Sequence, residues 1–215
     1  MSTLTPLQIR PVGDHALLLE LADNAAVHGL ARLAREVCGA RLAEVVPGHA
    51  TLLLVGEAGS GAPDPSALLA AAAGSERSWR EGQDGSNAAV RTIPVRYGGA
   101  DLASAAAALG VSSEAVVAMH CGADYIVAFI GFAPGFPYLV CEEPSALLDL
   151  PRRATPRTEV PAGSVAVAAG YCGIYPRSSP GGWNLLGRTD AVMFDAQREP
   201  PALLEPGLRV RFEPA

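Results

Sequence analysis

The first 75 residues combine short apolar runs with one clear helical repeat. Two apolar segments within residues 7–21 flank Gly13-Asp14, a pattern typical of a β-hairpin. Apolar residues then recur at helical spacing over 27–38 and stop at Gly39. Two further strands and a second helix are predicted, over 42–46, 51–55 and 65–73. The order β-β-α-β-β-α predicts a small sheet with its helices on one face, an α+β N-terminal domain.

The apolar rhythm stops after Gly74, and polar residues with glycine dominate up to residue 89. A stretch of this composition is typical of a linker. We therefore predict three parts of the chain, an N-terminal domain, a linker and a second domain, over residues 1–75, 76–89 and 90–215.

The second half begins with mixed elements and then becomes rich in predicted β structure. Its first elements are a strand, two helices and a buried strand, over 92–97, 102–109, 112–120 and 125–130. Proline and glycine then recur at short intervals, and short strands are predicted over 165–169, 192–194 and 209–212. Short strands joined by long loops favour a closed or nearly closed, mostly-β domain.

Composition excludes several functional classes. The chain has 215 residues, of which 49% are hydrophobic and 18% charged, enough for a substantial core. Its net charge of -6 argues against a nucleic-acid partner, which normally requires a basic surface. The sequence shows neither a signal peptide nor an apolar run that would span a membrane. We therefore expect a cytoplasmic protein without a membrane partner.

All 16 residues counted as Lys or Arg are arginines, and the chain contains no lysine. Genome composition is the simpler explanation for this absence. A P-loop needs Lys and Schiff-base enzymes need an amine, so this chain alone performs neither chemistry. The cysteines form no C-x-x-C pair and the histidines lack H-x-x-x-H spacing, so no metal site is predicted.

A loop rich in aromatic residues, 131–139, follows the predicted buried strand. Its two prolines and two glycines, including Pro134 and Gly135, restrict the backbone path. Phe132 is one of three aromatic residues that must pack inward or onto a ligand or partner. Both a structural corner and the wall of a pocket fit this pattern.

Three arginines lie among prolines in the segment 151–157: Arg152, Arg153 and Arg157. A loop stiffened by proline would hold guanidinium groups ready for a carboxylate or phosphate at low entropic cost. A solvated basic loop is the alternative interpretation. Glu159 is near enough in sequence to neutralise one of these charges.

A glycine pair, Gly181-Gly182, precedes Trp183 and lies shortly after Tyr175. Adjacent glycines let backbone N–H groups converge on an anion or let a planar group approach closely, and they also build tight hairpins. The sequence leaves both interpretations open.

His120 is the one histidine that we weigh as a proton-transfer or hydrogen-bonding group, because it directly precedes the predicted buried strand. A structural role for this imidazole is the alternative. The carboxylates that could orient it are Asp101, Asp124 and Glu159.

Together these motifs resemble the family that contains the B subunit of 5-oxoprolinase, also called allophanate hydrolase subunit 1 and sporulation-kinase inhibitor. The matching runs are 93–99, 101–102, His120, 131–139, 151–164, 179–189 and 206–207. They cover essentially all of residues 92–212, and a looser similarity in element order extends over the first domain. Family members usually carry Gln-Thr where this chain has Tyr171-Cys172, which leaves the identity of the substrate open.

The resemblance implies an α+β N-terminal domain followed by a cyclophilin-like β-barrel domain. It also implies two partners from the 5-oxoprolinase complex, of which the C subunit (allophanate hydrolase subunit 2-like) is permanent and the A subunit is the third component. The three chains together would open 5-oxoproline to L-glutamate at the expense of ATP. The chain itself is expected to bind no cofactor and to be inactive alone.

The resemblance also suggests a hypothesis for the site, in which a phosphorylated lactam oxygen gives water a better electrophile. Arg153 and Arg157, with the amides of Gly181 and Gly182, would stabilise the anionic oxygens. His120 would be the proton-transfer group. The expected pocket lining is Phe132, Pro134, Gly135, Tyr175 and Trp183.

Two other functions are implied by other branches of the same family. One is a binding protein that inhibits a histidine kinase. The other is one half of a biotin-dependent carboxyltransferase, as in urea carboxylase. Neighbouring genes for the A and C subunits would favour the 5-oxoprolinase, whereas a sensor kinase or a biotin carboxylase would favour these alternatives.

Overall fold

The computed structural model describes residues 4–75, 90–141, 143 and 145–215. The chain divides into two compact units, Met1–Asn87 and Ala88–Ala215. The predicted linker, 76–89, lies outside the described residues, so its boundaries stay a prediction.

The described part of the first unit contains one four-stranded sheet and two α-helices. Its elements are β1 (Gln8–Val12), β2 (Ala16–Glu20), α1 (Asn24–Cys38), β3 (Leu42–Pro47), β4 (Thr51–Gly56) and α2 (Ser66–Ser75). The strand order is β1-β2-β4-β3, and all neighbouring strands are antiparallel. Asp23 begins α1 by accepting a hydrogen bond from the amide of Ala26 (2.9 Å), and Gly39, with a φ of 50°, ends it.

A single apolar face of α1 holds this unit together. Val27, Leu30 and Ala34 are fully buried, and they belong to one cluster with Leu52 and Leu54 of β4. The buried residues of α1 follow helical spacing, and those of β4 alternate along the strand. This is what the sequence pattern predicts for a helix packed on a sheet.

The second unit contains nine strands and two helices among its described residues. They are β5 (Val90–Tyr97), α3 (Leu102–Leu109), α4 (Ser113–Gly122), β6 (Tyr125–Ile130), β7 (Pro137–Cys141), β8 (Arg157–Val160), β9 (Ser164–Ala168), β10 (Tyr171–Ile174), β11 (Ser179–Gly181), β12 (Asn184–Arg188) and β13 (Arg209–Pro214).

Seven of these strands form a closed barrel in the order β10-β7-β6-β13-β5-β12-β9. The β13 and β5 strands are parallel, and the other neighbours are antiparallel. The two remaining strands, β11 and β8, pair with each other in a separate sheet. The predicted mostly-β barrel is therefore confirmed.

Strand β9 is buried along its whole length because both of its faces are covered. Val165 and Val167 point into the barrel core, whereas Ala166 and Ala168 pack in a second apolar cluster with Trp183. The second cluster covers the outer face of the barrel wall and gives the loops of this region a rigid support.

Several short strands of this unit differ from the sequence-based expectations. The predicted strand at 192–194 is wrong, because only Phe194 forms an isolated bridge, to Ala202. Five strands were not predicted, over 137–141, 157–160, 171–174, 179–181 and 184–188. These segments are only three to five residues long and contain Gly or Pro in most cases, so they carry little alternating apolar signal.

Within the described residues, no single helix has the length and apolar character of a membrane span, and α3 and α4 meet that test only as a pair bent by 90°.

Candidate functional site

A buried carboxylate at the start of α3, that of Asp101, binds two of the three arginines singled out in the sequence. Its Oδ1 accepts a hydrogen bond from Nη1 of Arg153 (2.5 Å), and both of its oxygens accept from Arg157 in a bidentate pair (2.8 Å each). The Asp101 side chain is only 2% exposed, against 34% for Arg153 and 23% for Arg157. Two cations thus share one anion, which leaves one net positive charge at the edge of the barrel.

The backbone of β12 fixes the position of this carboxylate. The amide of Leu185 donates to Oδ2 of Asp101 (2.8 Å), and the amide of Asp101 donates to the carbonyl of Leu185 (3.0 Å). Gly99 makes this approach possible, since a Cβ there would lie 2.4 Å from the carbonyl oxygen of Leu185. The chain before α3 is thereby held tightly against β12.

Charge pairing keeps the cluster ionised. Burial by itself would raise the pKa of Asp101, but the hydrogen bonds from Arg157 and Leu185 and the charges of the two arginines hold that pKa below its usual range. The hydrogen bond to Asp101 raises the pKa of Arg157. The carboxylate of Asp101 is therefore ionised at neutral pH, where arginine side chains carry a permanent positive charge.

The glycine pair lies beside the arginines. Gly181 pairs with Arg157 across the β8–β11 sheet, and the amide of Arg153 donates to the carbonyl of Gly182 (2.7 Å). Tyr175 lies directly under Gly181, because a Cβ on this glycine would be 2.2 Å from the tyrosine hydroxyl oxygen. Gly181 is thus required by close packing against Tyr175.

Aromatic rings continue the site from Tyr175 across the outer face of the barrel. Tyr175, Phe136 and Trp183 are each 5% exposed or less. Phe136 makes T-shaped contacts with Tyr175 (centroids 5.1 Å apart) and Trp183 (5.6 Å). Gly173 lies under Phe136 and Trp183, and a Cβ there would come within 2.9 Å of both rings. Trp183 is therefore part of the packed support and contributes little surface to a ligand.

Phe132 is the exposed end of this aromatic group. Its side chain is 60% exposed, and its φ of 63° lies in the left-handed region, where a phenylalanine is strained. Its ring has edge contacts with Phe136 (5.2 Å) and Tyr175 (6.3 Å). Pro134 is exposed, whereas Gly135 is buried against Phe194. A strained, exposed aromatic residue is typical of a functional surface.

Tyr171 and Cys172 stand where family members usually carry Gln-Thr, and both lie on β10. Their side chains point to opposite faces of the barrel wall. Tyr171 has a T-shaped contact with Tyr138 (5.3 Å) and is roughly parallel to Trp183 (6.4 Å, 16°). Cys172 points inward and is fully buried. Tyr171 therefore extends the aromatic group, and Cys172 belongs to the barrel core.

The structure places His120 in the interior of the barrel, where its partners are Tyr97 and Cys172. His120 lies in the last turn of α4, is fully buried, and has Nδ1 2.6 Å from the Tyr97 hydroxyl and Nε2 3.3 Å from Sγ of Cys172. Burial lowers the pKa of His120 to about 3, so the imidazole is neutral. Because Cys172 faces inward and the adjacent Gly173 faces the aromatic rings, the β10 wall lies between this histidine and those rings.

The carboxylates considered for orienting His120 have other partners. Asp101 binds the arginines, Asp124 binds Arg211, and Glu159 accepts a hydrogen bond from Ser178 (2.9 Å). The hydroxyl of Tyr97 is the group that contacts the imidazole, at Nδ1. Of these carboxylates, Asp101 contacts the arginines instead of His120, and its position before a predicted helix gives no sign of its arginine partners.

A pocket of about 390 Å³ opens between α3 and the 151–155 loop. Its lining includes Ser104, Ala108, Leu150, Arg152, Arg153 and Asn184. Asn184 ties this loop to the barrel, since its Nδ2 donates to the carbonyls of Pro151 (2.9 Å) and Val167 (3.1 Å). The site therefore combines a net positive charge, a supported loop and a concave surface. In the described part of the chain, no group of three or more His, Cys, Asp or Glu side chains is arranged to hold a metal ion.

Comparison with known proteins identifies relatives over nearly the whole chain. Residues 7–204 match the family model described as carboxyltransferase domain, subdomain C and D. The chain is 38% identical to the B subunit of 5-oxoprolinase from Escherichia coli O157:H7 over 94% of both chains. It is 43% identical to the protein of the same name from Bacillus subtilis, over 59% of this chain and 53% of the relative.

Solved structures show the same fold. TTHA0988 has a TM-score of 0.72 and 39% identity to this chain. The match covers 94% of this chain but only 40% of the TTHA0988 chain. The Pyrococcus horikoshii protein PH0987 has a TM-score of 0.56 and 32% identity, covering 97% of both chains. The Kluyveromyces lactis urea amidolyase, at 20% identity and a TM-score of 0.65, matches all of this chain over 15% of its own, which shows a shared fold only.

Proposed function

Because the chain belongs to the family of the carboxyltransferase domain, subdomain C and D, we propose that it is the B subunit of an ATP-dependent 5-oxoprolinase. With the A and C subunits, it would cleave 5-oxo-L-proline to L-glutamate. The observation that carries the proposal is the 38% identity to a 5-oxoprolinase chain of that name over 94% of both chains. Since the complex consumes ATP, its proposed location is the cytoplasm.

The charge cluster fits the chemistry of this reaction. Hydrolysis of a lactam passes through an oxyanion, and phosphoryl activation by ATP adds further negative charge. Arg153 and Arg157 supply two guanidinium groups against one carboxylate, so the cluster keeps one net positive charge for an anion. The Asp101 pairing holds both side chains in place before any ligand arrives, which reduces the entropic cost of binding.

The rest of the described site fits a protein that completes its active site with partners. Phe132 has a strained backbone and presents an exposed ring at the end of the aromatic group, where a partner surface or a ligand would cover it. The chain has no lysine for a P-loop, so ATP is assigned to another chain of the complex. The proton-transfer role of His120 stays a prediction, and the imidazole would act from inside the barrel wall.

Reconstitution tests the proposal directly. This chain is co-expressed with the candidate A and C subunits, and the complex is isolated by size-exclusion chromatography. We expect co-elution, ATP hydrolysis that depends on 5-oxoproline, and stoichiometric formation of glutamate.

The experiment has two controls, one reaction without this chain and one without 5-oxoproline. Equal glutamate formation without this chain would overturn its assignment as a required component. Co-elution without any 5-oxoproline-dependent turnover would overturn the substrate, and failure to bind the C subunit would overturn the proposed assembly.

A further inference from the structure

The pocket beside α3 has a lining that selects for negative charge. Two of its lining residues, Arg152 and Arg153, carry guanidinium groups, and its lining contains no Asp or Glu. Its volume of about 390 Å³ lies in the range of pockets for small molecules. The chain as a whole has a net charge of -6, so this local excess of positive charge is not a general property of its surface.

The two arginines bound to Asp101 differ in how many of their guanidinium nitrogens already bind the carboxylate. Arg157 commits Nη1 and Nη2 to the two carboxylate oxygens. Arg153 uses Nη1 alone on this carboxylate, is the more exposed of the two, and lines the pocket. Arg157 is therefore suited to hold the cluster together, whereas Arg153 is suited to contact a ligand.

Arg152 adds a second cation that is independent of the cluster. It is exposed, it lines the pocket, and its positive charge lowers the pKa of both Tyr138 and Tyr175 against the stronger effect of their burial. The charge of Arg152 therefore acts on two of the aromatic rings, and the same residue lines the pocket. A small anion in the pocket would thus meet one guanidinium on each of two neighbouring residues.

We propose that this pocket binds the carboxylate of a small organic acid through Arg152 and Arg153, with Asp101 and Arg157 as positioning residues. The class of ligand follows from the charge, since planar guanidinium groups bind carboxylates in a forked geometry. The apolar part of the lining, Ala105, Ala108 and Leu150, suits the methylene groups of such an acid. If the proposed function is correct, the ligand is 5-oxo-L-proline, and the identity of the acid rests on that function.

Binding to the full chain alone tests the pocket without the other components of the complex. Isotope-labelled protein is titrated with sodium 5-oxo-L-proline and, in parallel, with 2-pyrrolidinone, which has the same lactam ring but no carboxylate. A ligand of this size is expected to bind with a dissociation constant on the order of 1 mM. We expect saturable NMR shifts of the amides of residues 104–108 and 152–155 with 5-oxoproline and no saturation with 2-pyrrolidinone.

Two variants and one control assign the contacts. Arg152→Gln and Arg153→Gln should each weaken binding roughly tenfold, since each removes a charge-assisted hydrogen bond. Arg91→Gln, an exposed arginine of β5 outside the pocket lining, is the matched control and should leave binding unchanged. Arg152 makes no contact with Asp101 in the described hydrogen bonds, so its replacement keeps the test valid even if Arg153→Gln unfolds the loop.

The possible results distinguish a failure of the pocket proposal from a failure of the proposed function. Equal binding of 2-pyrrolidinone, unchanged binding by Arg152→Gln, or no saturable binding by the wild-type chain would overturn the pocket proposal. Turnover of 5-oxoproline by the reconstituted complex with an unchanged KM in both variants would also overturn it, while the proposed function stands. Carboxylate binding that depends on these arginines in a chain whose complex shows no 5-oxoproline turnover would support the pocket and overturn the function.

Discussion

The carboxylate of Asp101 joins three segments that are distant in sequence. It accepts hydrogen bonds from Arg153, Arg157 and the amide of Leu185. These residues lie 52, 56 and 84 positions further along the chain. The carboxylate is buried and its charge is balanced by the arginines, so its removal leaves two partly buried cations without their anion. Such a loss is more costly than that of an exposed ion pair.

Replacement of this carboxylate should destabilise the second unit. We expect Asp101→Asn to lower the free energy of unfolding by about 2 to 3 kcal/mol, measured by denaturant unfolding. The control is Asp190→Asn, which breaks the bidentate pair between Asp190 and Arg96 on the surface (2.6 and 2.7 Å). The control should change stability only slightly, because solvent screens that pair. Equal effects of the two variants would show that Asp101 is not a structural anchor.

His120 should make the stability of the protein depend on pH. Its pKa is lowered by burial to about 3 in the folded chain, whereas an exposed histidine titrates near 6.5. Between these values only the unfolded chain binds the proton, so stability is complete above pH ~6.5 and falls as the pH is lowered towards 3. The expected slope from this one group approaches about 1.4 kcal/mol per pH unit.

The comparison that isolates His120 is between wild type and His120→Gln over this pH window. The titratable groups that contact the imidazole are Tyr97, Cys172 and Tyr125. Burial raises the pKa of each of them, so they stay neutral in this pH window and do not contribute. The variant should have lower stability at pH 7 and a shallower pH dependence. Parallel stability curves for the two proteins would mean that His120 is not the group that titrates.

At the scale of elements, the β8–β11 sheet carries the link between the arginines and the aromatic rings. Arg157 lies on β8, and Gly181 is its partner on β11, directly over the hydroxyl of Tyr175. The sequence identified the glycine pair as special but left open whether it binds an anion or forms a hairpin. The structure shows that Gly181 has a packing role, because Tyr175 occupies the space that a larger side chain would need.

The two adjacent glycines should respond differently to the same substitution. Gly181→Ala would place a Cβ 2.2 Å from the Tyr175 hydroxyl, so the buried ring or the strand must move. We expect a loss of about 1 to 3 kcal/mol in stability and a changed near-ultraviolet circular dichroism spectrum. Gly182→Ala is the control, since its nearest neighbour, Pro156, is 3.6 Å away. If both variants melt at the wild-type temperature, the packing interpretation is wrong.

Strand prediction failed where elements were short and succeeded where they were long or strongly periodic. The buried run of β6 was recognised, since six consecutive apolar residues indicate a strand covered on both sides. The three residues of β11 contain Pro and Gly and carry no such pattern. They form a strand because β8 supplies hydrogen-bond partners, which a local pattern does not reveal.

At the scale of the whole chain, the barrel closes without any strand of the first unit. All of its seven strands lie between residues 90 and 214. A domain with its own closed hydrogen-bonded wall and its own core is expected to fold alone.

A fragment of residues 88–215 should therefore unfold in one cooperative transition. We expect its Tm, measured by calorimetry, to match one transition of the full chain within a few degrees. The matched sample is the full chain in the same buffer. A fragment that lacks a cooperative transition would show that the barrel depends on the first unit for its stability.

The sequence by itself determined the longer elements and the family. Helical and strand periodicities depend on residues that are neighbours in the chain, and the motifs of the second half are ordered runs that can be read without coordinates. Only the tertiary structure decided which charges meet and which face of the barrel each residue occupies. The pairing of Asp101 with Arg153 and Arg157, and that of His120 with Cys172 inside the barrel, depend on the folded barrel, which brings together residues more than fifty positions apart.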